Sequence, residues 1–93
     1  MICVLECRFI LPGCSSLKEK RSQVKPLINR LQREFNLSAS EIELQDIHDQ
    51  AVIGCALISS DRVFMEKVMQ RVVAFIEAYW KNMQLVDYKI EFY

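Results

Sequence analysis

Six cations crowd one stretch of this 93-residue chain. Lys18, Lys20, Arg21, Lys25, Arg30 and Arg33 lie between residues 15 and 35, against only Glu19 and Glu34, an excess of about four positive charges. At about 100° per helical residue, Lys18, Arg21 and Lys25 share a sector of about 60°, and Arg33 lies roughly 60° further round. Cations in such a row can follow the phosphates of a nucleic acid backbone. The plainer reading is a solvated helix face. Two details bear on the choice. Cations near a helix N-terminus oppose its dipole at a small cost, which hints at a purpose. Residues 36–50, by contrast, carry four acids and no Lys or Arg. Lys20 falls inside the apolar arc, where its stem must either run out to water or meet an acid.

Two other groupings could do chemistry. Asp46, His48 and Asp49 sit together, with Glu41 and Glu43 just upstream. A histidine among carboxylates can be an acid–base pair or a metal site. Here it is the only histidine, on a short segment that reads equally as a polar turn. The cysteines are Cys3, Cys7, Cys14 and Cys55, with no C-x-x-C pair, so neither a zinc knuckle nor a dithiol motif is expected. Cys3 and Cys7 share a strand face but stand about 13 Å apart at strand rise, too far for a disulfide. All four read as small buried hydrophobes. A glycine-rich phosphate loop and a G-x-S-x-G elbow are absent. Pro12-Gly13-Cys14-Ser15 lacks the arginine that an acylphosphatase carries after its first strand. No catalytic residues, metal, cofactor or small-molecule ligand are therefore expected.

These residues must be positioned by a small domain. An apolar fraction of 52%, a charged fraction of 26% and a net charge of +0 describe a globular chain. Zero net charge argues against general attraction to polyanions but leaves the charge distribution open. No apolar run is long enough to span a bilayer, and Glu6 and Arg8 interrupt the first one. A cytoplasmic protein of one domain, residues 1–93, is expected.

Residues 2–11 alternate, with Cys3, Leu5, Cys7, Phe9 and Leu11 on one face, and Pro12-Gly13 ends that strand. Ser16-Leu17-Lys18-Glu19 fits a capping box. Leu17, Val24, Leu27, Ile28, Leu31 and Phe35 follow at helical spacing, with Pro26 predicted to kink one helix rather than divide it. Ile42 and Leu44, alternating with Glu41, Glu43 and Gln45, predict a half-buried edge strand. Residues 51–58 are almost wholly apolar, as a central strand should be. Ser59-Ser60-Asp61 caps a second helix to about Trp80, and Val86, Tyr88, Ile90 and Phe92 mark a last strand. Two split βαβ units give an α+β, ferredoxin-like βαββαβ sandwich. Its antiparallel strands run in the order 4-1-3-2, with both helices on one face. Leu5, Phe9, Leu31, Ile42, Leu57, Val68, Phe75 and Ile90 form the expected core.

Ser16-Leu17-Lys18-Glu19-Lys20-Arg21, Gln45-Asp46, Ile53-Gly54-Cys55-Ala56 and Ser60-Asp61-Arg62, taken in order and spacing, resemble the YlxP-like family of small bacterial proteins. The resemblance covers nearly the whole chain and implies a ferredoxin-like fold. It also implies an association with translation, because members tend to be encoded beside ribosome-maturation genes; some carry a ribosome-binding-factor-like label for that reason. The chain departs from the family after Gln-Asp, where Ile47-His48-Asp49-Gln50 replaces an aromatic and a basic residue.

Two functional expectations result. In the first, an accessory protein binds RNA or a ribosomal particle through Lys18, Arg21, Lys25 and Arg33, with Lys20 contributing from the helix start. In the second, the open sheet face, through Ile2, Val4, Val52 and Ile58, makes a homodimer with no nucleic acid role. That face lacks outward aromatics on its central strands, so base stacking across the sheet is not expected.

Overall fold

A computed structural model describes residues 1–93. Strand β1 (Ile2–Ile10), helix α1 (Leu17–Phe35), strands β2 (Ser38–Glu43) and β3 (Gln50–Ile58), helix α2 (Arg62–Tyr79) and strand β4 (Gln84–Phe92) follow in chain order. All strand pairings are antiparallel, and the sheet order is β2-β3-β1-β4. This is the expected α+β, ferredoxin-like fold, with the two most apolar strands in the centre.

Alternation in β1 builds the core. Cys3, Leu5, Cys7 and Phe9 are completely buried and pack with Val24, Leu27 and Leu31 of α1 and Met65, Val68, Met69, Val72 and Ile76 of α2. Leu11-Pro12-Gly13-Cys14 then forms a tight turn. Cys14 N–H donates to Leu11 O at 3.2 Å, and Gly13 takes φ +74°, a conformation other residues rarely adopt.

Helix α1 starts where the capping residues place it. Glu19 N–H donates to Ser16 Oγ at 3.1 Å. The Glu19 carboxylate accepts from the Ser15 amide and hydroxyl, one residue earlier than a standard capping box would have it. The helix runs unbroken through Pro26. It stops at Asn36, whose left-handed conformation (φ 50°) suits asparagine and turns the chain directly into β2.

Strand β2 departs from the sequence expectation. It begins at Ser38, and Ala39 and Glu41 pair with the core residues Cys55 and Ile53. Glu41 therefore faces the helices. Ile42 is the extra residue of a bulge between Glu41 and Glu43 and turns to the open face, 42% exposed. It lies across Gly54, where a Cβ would come within 3.0 Å of Ile42 Cδ1. Ile42 is therefore not a core residue. Leu57, Phe75 and Ile90 are only half-buried and line the rim of the core. No helix is long and apolar enough to cross a membrane.

Candidate functional site

The solvent face of α1 carries Lys18, Arg21, Lys25 and Arg33, all exposed, and none of the four is in an ion pair. Lys18 and Lys25 are about 10 Å apart along the axis, and Lys25 and Arg33 about 12 Å, at 1.5 Å per residue. Arg30 is already engaged. Its Nε lies 3.7 Å from Glu34 and its guanidinium 5.2 Å above the Phe75 ring.

Lys20 is not part of this face. Its side chain is 1% exposed, and its ammonium sits 2.6 Å from Glu41 Oε2 and donates to the carbonyls of Leu44 and Ile47, each at 2.7 Å. Burial of the stem forces the charge to find partners, and the inward turn of Glu41 supplies one. Glu41 Oε2 meets no other donor. The contact ties α1 to the β2–β3 turn. There Ile47 N–H closes back on Leu44 O at 3.0 Å, and Leu44 is held at φ 61°, a costly conformation for a bulky side chain.

The acidic turn has a structural arrangement of its own. His48 Nδ1 lies 2.8 Å from Cys14 O, and since a carbonyl can only accept, Nδ1 carries the proton in this bond. Leu11 N–H donates to Asp49 O at 2.9 Å. These bonds fasten the β2–β3 turn to the chain entering α1. Asp46 and Asp49 are exposed and pair with no cation.

The four thiols are buried and unbridged. Burial pushes the Cys55 thiol up to about 12. The Cys7 thiol is pushed higher still, by burial first and by Cys55 and Glu6 beside it. Neither is a nucleophile at neutral pH.

The open sheet face divides into two halves. On one side Ile2 stands opposite Ile58 and Val4 opposite Ala56. With Ile42 and Gly54, Val4 and Ala56 line an apolar depression of about 250 Å³. Ile58 is 76% exposed and Ile2 is also exposed. Val52 is fully buried, so it offers nothing to a second molecule. It lies between Arg8 and Glu43 in register, two long side chains beside a small branched one. The other half is charged. Lys89 lies 3.2 Å from Glu91 and 3.9 Å from Glu6, and Tyr93 donates to Glu91 at 3.1 Å. The hydrogen bonds from Lys89 and Tyr93 hold the Glu91 carboxyl below its ordinary range.

A feature that sequence reasoning missed lies beside the cationic face. Pro26, Asn29, Arg30, Gln32 and Arg33 of α1 and Trp80 at the end of α2 line a groove of about 580 Å³. The lone tryptophan was the available signal. Spacing alone could not place it against α1.

A family model described as "Protein of unknown function (DUF503)" matches residues 2–90. The chain belongs to that family. A relative, "Uncharacterized protein YlxP" of Bacillus subtilis (strain 168), is 46% identical over 79 residues, covering 85% of this chain and 86% of the relative. Among solved structures, a "putative transposase" from Deinococcus radiodurans R1 matches the whole chain and 78% of its own length, with a TM-score of 0.50 at 10% identity. That likeness concerns the fold alone. The YlxP-like resemblance read from the motifs is thus the family of this chain.

Proposed function

We propose that this DUF503 protein is an accessory factor that binds RNA, free or within a ribosomal particle, through the solvent face of α1. The observation that carries this reading is the set of four exposed cations, Lys18, Arg21, Lys25 and Arg33, with no carboxylate partner. Surface cations that only confer solubility are commonly interspersed with acids, and here the nearest intrahelical acids are occupied. Glu19 caps the helix and Glu34 holds Arg30. Lys20 is excluded from the contact set by its burial.

The test is RNA affinity against salt. Four phosphate contacts give a slope of log affinity on log salt of roughly −3 for a single strand. Reversing Lys18 and Lys25 to Glu reduces the slope by at least half and weakens binding to all sequences alike. Lys67→Glu on α2 is the control, because Arg62 stacks 4.2 Å over Phe92 and its loss would disturb packing. RNA association unchanged by the double reversal, in a folded protein, sinks the proposal.

A second reading is favoured by the apolar half of the open face. Val4 and Ile42 line a shallow depression, and the exposed Ile2 and Ile58 pair on the same sheet face, so that a second copy of the chain would cover both.

A further inference from the structure

We infer that the groove between α1 and Trp80 receives an unpaired base of single-stranded RNA, with Arg33 on the adjoining phosphate. This inference rests on the reading of α1 as an RNA-binding face and names the form of RNA that face takes.

The groove joins the cationic face directly, since Arg33 belongs to both. Its volume of about 580 Å³ lies in the range that small organic ligands occupy. Trp80 is its one aromatic wall. Every base has a π-face, so an indole offers stacking that tolerates any sequence. Asn29 and Gln32 present side-chain amides that both donate and accept, as the edge of a base requires. Gln32 uses one of its donors on Ala39 O at 3.0 Å, which orients the amide. Arg30, on the Trp80 side of the groove, already lies 3.7 Å from Glu34 and 5.2 Å above the Phe75 ring, which itself packs 6.4 Å from Trp80. Arg33 has no partner and is free to take a phosphate. A duplex keeps its bases stacked on one another and cannot place one here. A chain of phosphates alone would leave the indole and the amides unused.

Trp80 is the only tryptophan, so its emission reports on the groove. A single-stranded oligouridylate should quench it. An RNA duplex of equal length and inorganic polyphosphate should bind with salt dependence yet leave it unchanged. Trp80→Leu should weaken single-strand binding roughly 5- to 100-fold while duplex binding stays the same. Because Trp80 also packs near Phe75, the emission of the unaltered protein is the deciding measurement. Single-strand binding without an emission change, or equal quenching by duplex or polyphosphate, overturns the inference and leaves the basic-face reading standing. Absence of all RNA binding overturns both.

Discussion

Lys20→Met removes a buried cation while keeping most of the side-chain volume, and its cost can be worked from three contacts. The ammonium is held by Glu41 at 2.6 Å and by two carbonyls at 2.7 Å. A hydrogen bond involving a charged group contributes about 1.5–3 kcal/mol. Simple addition would overshoot, because the Glu41 side chain is 19% exposed and can turn toward water once its partner is gone. Breaking one side of a buried pair costs about 3–5 kcal/mol, and the loss should fall toward the lower part of that range. Against a domain stability of about 5–15 kcal/mol this is large. Urea unfolding should show the midpoint falling with an unchanged m-value. Lys20→Met/Glu41→Leu should cost less than the sum of its parts, with a coupling of about 1–3 kcal/mol. Hydrogen exchange should quicken first at Leu44–Ile47, where the ammonium holds the turn. The salt slope of RNA binding should not move. A loss under about 1 kcal/mol would refute the buried network, and a flatter salt slope would return Lys20 to the binding face.

The remaining expectations concern the thiols and the open face. Cys7 and Cys55 ordinarily ionise near pH 9.0 and are held protonated by the fold, Cys55 until about 12. The folded state thus binds their protons more tightly. Their contribution is fully present below pH 9 and is lost as pH rises from there, at about 1.4 kcal/mol per pH unit for each thiol. Cys55→Ala should flatten that alkaline slope in urea titrations across pH 8–11, and an unchanged slope would mean the thiol is already solvated. For the open face, sedimentation should show a dimer as concentration rises, and Ile58→Asp should abolish it. Monomer alone at high concentration would remove the dimer reading.

Much of the candidate site was legible because helical periodicity is local. Lys18, Arg21, Lys25 and Arg33 reach solvent because Val24, Leu27 and Leu31 turn the opposite side of the same helix into the core. Lys20 was marked by the same periodicity as lying in the apolar arc, but its partner was not. Glu41 is 21 positions away, on a strand whose inward face the sequence misassigned. Ile42 looked like the buried residue and Glu41 the exposed one. A bulge at Ile42 and the demand of a buried ammonium reversed that choice.

The order of elements, the strand order and the helix limits follow from local signals that a chain carries by itself. These are alternation in β1 and β4, the apolar run of β3, the Ser16 and Asp61 caps, the Pro12-Gly13 turn and the apolar stripes of both helices. Three features needed the third dimension. Val52 is shielded among long neighbours in adjacent strands, Glu41 is drawn inward by Lys20, and Trp80 is carried to the flank of α1 by the helix packing. Each depends on which side chain of one element meets which side chain of another. Periodicity sets the face a residue shares within its own element. Only packing decides what stands opposite it, because long-range contacts are chosen by shape, burial and charge together.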